Sequence, residues 1–198
     1  MKKSLLALTL LALPALAVST AASAAEGVSY NYVEGGYTAT NLDKAPDSDG
    51  WGLNGSVAIA PNFHVFGSYN QQDFKDVNYG YDQWRVGLGY NHEISQKVDL
   101  VSRVAYEKFK GDDYTVGGVR FPGDDLDGYS AEVGVRAGLT PFVEGYAMAG
   151  YEDGKDYDGD FYGRLGAQVK FNPNWGITGD VKFADNDTQW FVGPRFTW

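Results

Sequence analysis

Residues 187–198, DTQWFVGPRFTW, constrain this chain more than any other stretch. Trp190, Val192, Pro194, Phe196 and Trp198 share one face; Gln189, Phe191, Gly193, Arg195 and Thr197 share the other. Alternation with a period of two predicts a strand with one apolar and one mostly polar face. A soluble sandwich can use such a strand at its edge. Behind an export signal, a last strand finishing on an aromatic residue instead fits a membrane-spanning barrel, apolar toward lipid and polar toward its lumen. That reading requires an even number of similar strands upstream.

Residues 1–24 read as a signal peptide removed on export. Lys2 and Lys3 precede an apolar run from Leu5 to Val18, and Ala22-Ser23-Ala24 forms a small-x-small cleavage pattern. Cleavage is expected after Ala24, with Ala25 as the alternative. The run is too short to cross a bilayer as a helix, and no later stretch resembles a transmembrane helix. Strands closed into a barrel are then the way across. The remaining residues, 25–198, fit one domain. The chain has no cysteine, which removes disulfides and thiolate chemistry from consideration.

Ten segments alternate: 28–39, 50–60, 62–72, 82–92, 97–109, 128–139, 141–152, 160–171, 174–184 and the last one. The fourth is the clearest, with Trp84, Val86, Leu88 and Tyr90 against Arg85, Gly87, Gly89 and Asn91. Short connections containing Pro61, Pro141 and Pro173, and one from His92 to Gln96, alternate with five longer ones. Short periplasmic turns and longer extracellular loops are what a barrel with both termini in the periplasm needs. The expectation is an all-β, antiparallel ten-stranded transmembrane barrel in the outer membrane of a Gram-negative bacterium. An eight-stranded barrel is the alternative. Pro194 cannot donate to a ladder, so a bulge or an unpaired carbonyl is expected opposite it.

Charge gives an independent check. Without Lys2 and Lys3, 14 basic residues stand against 26 acidic ones, a net −12. The inward positions hold Glu34, Asp99, Glu107, Glu132, Glu144 and Asp180 together with Arg85, Arg103, Arg136, Arg164, Lys170, Lys182 and Arg195. An Arg or Lys at the lipid midplane costs roughly 2–4 kcal/mol, which explains the sorting. Unpaired buried charges are costly as well, so these thirteen are expected to form a salt-bridge network filling the lumen.

The acidic excess falls in the long connections, with Asp43, Asp47, Asp49, Asp73, Asp76, Asp112, Asp113, Asp124, Asp125, Asp127, Asp153, Asp156, Asp158, Asp160, Asp185 and Asp187. EDGKDYDGD, residues 152–160, faintly resembles a calcium loop but lacks the closing Glu and the right glycine spacing. Solvated hairpin turns account for it better. The two histidines are His64, inward on the third segment, and His92, at a periplasmic turn. His64 shares its face with Ser68, a thin basis for a hydrolase. No phosphate loop or nucleophile elbow is present, and an acidic surface repels nucleic acid. No enzyme activity, metal or cofactor is expected. The expected partners are outer-membrane lipid, lipopolysaccharide and the barrel-assembly machinery, the last reading Trp190, Val192, Phe196 and Trp198. The chain is expected to be a monomer.

VSYNYVEGGY, an acidic loop and DGWGLNGSVAIAPNFHVFGSYN together resemble an outer-membrane β-barrel family of xanthomonad bacteria. Its members are described as sulfation-dependent quorum factors and activators of a rice immune receptor. The resemblance is strongest over residues 26–70. It implies an outer-membrane and vesicle-associated protein acting in cell-to-cell signalling, motility or biofilm formation. The family's sulfated tyrosine, in a Leu-Ser-Tyr-Asn context, corresponds to Tyr30 in Val28-Ser29-Tyr30-Asn31. Residue physics points elsewhere: Tyr30 should face the lumen, and a sulfate there would need a basic neighbour such as Arg195. The alternative function is a narrow pore for small solutes.

Overall fold

The structure is a computed structural model describing residues 24–43, 46–75, 79–116, 119–155, 157–185 and 187–198; Asp76, Asp156 and the expected signal peptide up to Ser23 lie outside it. Twelve strands follow in order: β1 (Tyr32–Leu42), β2 (Ser48–Ala60), β3 (Phe63–Phe74), β4 (Gly80–Ser95), β5 (Val98–Gly111), β6 (Tyr114–Val116), β7 (Val119–Phe121), β8 (Asp125–Thr140), β9 (Val143–Gly154), β10 (Asp160–Lys170), β11 (Trp175–Phe183) and β12 (Asp187–Thr197). Ten of them close into one antiparallel barrel, and β12 returns to pair with β1. β6 and β7 form a separate two-stranded hairpin within the third outer connection.

Alternation decides which side each residue faces. Trp51, Leu53, Val57 and Ile59 of β2 point out, as do Trp84, Val86, Leu88 and Tyr90 of β4. Thr38, Ser56, Glu107, Glu132 and Arg136 are buried inside. The usual soluble arrangement is inverted: the apolar face meets lipid and the polar face makes the core. A register slip of one residue would exchange the two faces throughout a strand, so register is strongly specified.

Three register shifts occur, at Ala58/Ala60, Glu93/Ser95 and Gly138/Thr140, each beside a short turn. None accompanies Pro194. The β1–β12 register is the same on both sides of that residue, from Glu34↔Arg195 to Tyr37↔Val192, while Gly35 and Gly36 have no ladder partner between them. Bare backbone fills the gap. A methyl group built on Gly36 would lie 2.1 Å from the Val192 carbonyl oxygen, so the strands close around Pro194 only because no side chain intervenes. The β1–β12 ladder thus has a gap beside Pro194 without a register shift, so the expected bulge is not there.

Most strand ends fall within a few residues of the expected segments, and two differences bear on the site. β1 starts at Tyr32, not Val28: the chain turns at Glu26–Gly27, where Gly27 is left-handed (φ 84°), and bends again at Tyr30 before the strand begins. Residues 24–31 consequently run across the periplasmic mouth. β4 continues to Ser95, so His92 lies within a strand, exposed beside Tyr90, and not in a turn.

β12 carries the closing ladder, and Trp198 adds one more bond by donating its N–H to the Asn31 carbonyl at 3.2 Å. Removing residues 196–198 strips the aromatic end from that strand and shortens the seam. Abundance in outer-membrane fractions should then fall roughly tenfold or more, since open strand edges are intolerable in lipid. Loss of the fast-migrating unheated band on gels provides the check.

Candidate functional site

The barrel's interior is its distinctive feature, and it can be built up from the charged side chains. Glu132 of β8 is buried and sits among three guanidinium groups, those of Arg85 (3.4 Å), Arg164 (3.8 Å) and Arg103 (4.0 Å). The Tyr162 hydroxyl donates to it at 2.9 Å. Arg85 also pairs with Glu107 at 2.9 Å, and Ser130 bridges the two, accepting from Arg85 at 2.8 Å and donating to Glu107 at 2.5 Å. Arg164 binds Asp180 at 2.9 Å, and the Tyr146 hydroxyl donates to the same carboxylate.

A second cluster lies nearer the periplasm. Arg136 and Glu144 are both about 2% exposed; Arg136 donates Nε–H to Glu144 at 2.6 Å. Lys170 and Arg195 approach the same carboxylate at 3.3 and 3.7 Å. Arg195 binds Glu34 at 2.5 Å across the β1–β12 seam, and Asn54 supplies Glu34 with another hydrogen bond at 3.1 Å. Toward the outer end, Lys182 pairs with Glu152 at 2.5 Å. Burying so many charges is tolerable only because each finds opposite charge and hydrogen bonds.

All thirteen charges expected in the lumen are there, but Asp99 is not joined to a base. It is fully buried at the start of β5, and it accepts from the Tyr30 hydroxyl at 2.9 Å and from the Ala25 N–H at 3.1 Å. Tyr30 faces inward and is 1% exposed, though it precedes β1 instead of forming part of it. Its ring stacks on His64 (centroids 4.4 Å apart) and lies under the Arg136 guanidinium at 4.9 Å. Arg195, the basic neighbour anticipated for Tyr30, lies over Tyr32 instead, at 4.1 Å. The register explains this: Tyr32 and Arg195 meet at the seam, whereas Tyr30 has turned across the mouth.

Several participants do not stand out in the sequence. Phe66 lies between Arg85 and Arg103, 5.3 and 5.1 Å from its ring centre, a cation–π contact inside a polar lumen. Gln168, Asn54 and Ser130 fill hydrogen-bonding gaps. Alternation places all four on the inward face, but polar or apolar character alone does not mark them as participants. At the outer end Tyr157 folds back over Gly128 and Gly154. Burial, followed by the carboxylates of Glu107, Glu152 and Asp153, pushes its hydroxyl up to about 12, so it stays a neutral donor.

Space inside is scarce. Two voids of about 40 Å³ and one of about 60 Å³ follow one another from Glu34 past Thr38 to Thr40, each large enough for a few waters. The lipid-facing rim holds a second pattern. Tyr69 donates to Asp82 (2.9 Å), Tyr106 to Asp127 (2.6 Å) and Tyr129 to Asp153 (3.1 Å). Trp51 and Trp190 donate their indole N–H groups to Gln71 and Asn41, both at 3.1 Å. Interfacial aromatics thus tie the feet of the acidic connections to the membrane surface. Among the described residues no three His, Asp or Glu side chains converge as a metal site.

A family profile described as the outer membrane protein beta-barrel domain matches residues 8–190. The chain belongs to this family. Its place is the outer membrane. Among solved structures it is similar to the translocator domain of the autotransporter NalP from Neisseria meningitidis, at 10% identity and TM-score 0.51, over 87% of this chain and 90% of that one. It is also similar to a KdgM porin in complex with disordered oligogalacturonate, at 15% identity and TM-score 0.46, over 84% and 99%. A third is Ail, the attachment invasion locus protein of Yersinia pestis, at 14% identity and TM-score 0.45, over 86% and 100%. At these identities the likeness is one of fold. A search of curated proteins finds no match.

Replacing Glu132 by Lys, or Arg136 by Glu, sets like charges together inside the barrel. Each should destabilise the protein by about 3–5 kcal/mol. Asp124→Lys, on an exposed loop residue, should leave the urea midpoint of the detergent-solubilised barrel unchanged.

Proposed function

We propose that this protein is a sealed outer-membrane barrel that acts at the cell surface through its outer connections and passes no solute. The observation behind this reading is the filling of the lumen. Every buried carboxylate above its floor is paired with a base, the remaining voids hold only a few waters, and residues 24–31 lie across the periplasmic mouth. A wide conduit needs a lumen that side chains do not fill. Here they do.

The likeness to the xanthomonad family favours a signalling, motility or biofilm role, with presence in shed vesicles. In our reading that role belongs to the β6–β7 hairpin and the acidic loop tips. Tyr30 is poorly placed for it. A sulfate on its hydroxyl would have to share the space of the buried Asp99 carboxylate 2.9 Å away, and like charges there repel strongly. Peptide mass spectrometry on protein from native membranes is expected to return Tyr30 unmodified; a stoichiometric sulfate would overturn this assignment.

The porin-like alternative draws on a different observation, that successive voids share Asn54, Gln83, Arg85 and Lys182 in their walls. Movement of a few side chains would join them. Planar-bilayer recording separates the two readings. The sealed barrel should give a flat trace apart from rare, irregular openings. Regular single-channel steps that change with Arg85→Ala or Lys182→Ala would establish the narrow pore.

A further inference from the structure

Asp99 is the exception in an otherwise balanced interior. Glu34, Glu107, Glu132, Glu144, Glu152 and Asp180 each have a Lys or Arg within ion-pairing distance. Asp99 is 0% exposed and has no such partner among the described residues. Arg136 stands directly opposite it in the β5–β8 register, but turns its guanidinium to Glu144. What Asp99 does have is the Tyr30 hydroxyl at 2.9 Å and the backbone nitrogen of Ala25, 3.1 Å from one carboxylate oxygen and 3.3 Å from the other. A neutral phenol and one amide N–H shared between both oxygens are a weak return for a buried negative charge.

The position of that nitrogen is closely defined. Ala25 is 2% exposed. Glu26 donates to the Gln96 carbonyl at 2.7 Å and Val28 to the Ala25 carbonyl at 3.0 Å. Lys170 donates to the Gly27 carbonyl. On β8, a methyl group on Gly138 would meet the Glu26 carbonyl oxygen at 2.3 Å, so that glycine makes room for the segment. Ala25 is also the residue that follows the Ala22-Ser23-Ala24 cleavage pattern.

We propose that Asp99 is the docking site for the α-ammonium group of the processed chain, created when the peptide bond between Ala24 and Ala25 is cut. The cut is a hydrolysis. The C–N bond breaks, water supplies hydroxide to the Ala24 carbonyl carbon, and the departing signal peptide carries the new carboxylate. The nitrogen of Ala25 takes up protons and becomes an ammonium. One neutral donor is thereby replaced by three donors and a positive charge, in contact with the one buried carboxylate that lacks a counter-ion. Processing would complete the floor of the barrel: residues 25–31 lock into the mouth once the precursor is cut, and cutting one residue later would delete the group that docks. This holds whether or not the lumen conducts.

The test uses protein from native membranes, whose mature chain is expected to start at Ala25. Brief treatment with a dilute amine-reactive ester, followed by peptide mass spectrometry, reads the accessibility of the α-amine. In the folded barrel it should label roughly tenfold or more slowly than in Asp99→Asn, whereas Tyr30→Phe should keep most of the protection. If Asp99→Asn fails to assemble, the chain beginning at Ala25 is refolded in detergent with its α-amine free or acetylated. Acetylation should then expose residues 25–31 to protease. A mature chain starting elsewhere, equal labelling in the wild type and Asp99→Asn, or equal protease resistance with and without acetylation would each overturn the proposal.

Discussion

A polypeptide in hydrocarbon has no water to satisfy its N–H and C=O groups, and the seam between β1 and β12 is where this barrel meets that demand. Nine of its ten strand pairings join barrel strands that follow one another in the chain, through hairpins or the long third connection; the tenth joins the last strand to the first, far away in the chain. The seam is reinforced from within, where Glu34 of β1 binds Arg195 of β12 and Arg195 reaches on toward Glu144 of β9. One ion pair therefore joins closure of the sheet to filling of the lumen. The weak point is Pro194, and the bare backbone of Gly35, Gly36 and Gly193 lets the strands close around it without a change of register. Open edges in lipid would cost several kcal/mol for each unsatisfied group, so tolerating the gap depends on the pairs to either side.

The inside of the barrel behaves as a core built from charge. Hydrophobic burial contributes little there, because the apolar face is turned toward lipid. Specificity comes instead from matching: Glu132 accepts three guanidinium groups, and shifting any one of β4, β5, β8 or β10 by a residue would scatter them. Such a network is weak evidence for stability compared with an apolar filling of the same shape, yet it strongly penalises wrong registers. Phe66 and Tyr32 show how the few inward aromatics are accommodated, each lying against a guanidinium group.

Much of this was legible in the residues because alternation and the cost of charge in lipid act together. Every Arg and Lys named as inward lies inside, and the parity of β2, β4, β5 and β8 follows directly from the sequence. The start of β1 was hidden. Val28, Tyr30 and Tyr32 keep one alternation through the irregular stretch that follows the turn at Glu26–Gly27, and only the backbone of residues 26–31 reveals that the strand has not begun. The isolation of Asp99 was hidden too. Its neighbour across the ladder is Arg136, and nothing local says that Arg136 favours Glu144. The partners of the loop aspartates were likewise out of reach, since Tyr106 and Asp127 are 21 residues apart and meet only across adjacent strands.

Those tyrosine–aspartate pairs divide the second, third and fourth outer connections into two parts with different freedoms. The foot is anchored at the height of the membrane interface by Tyr69, Tyr106 and Tyr129. Beyond it, Asp112, Asp113, Asp124 and Asp125 of the third connection are exposed, whereas Tyr157 of the fourth folds back over Gly128 and Gly154. Change at an exposed tip is therefore mechanically insulated from the barrel, and the outer surface of this protein can diversify on a frame that stays the same. The same insulation marks the tips, not the feet, as the places to graft a foreign epitope for display on a living bacterium.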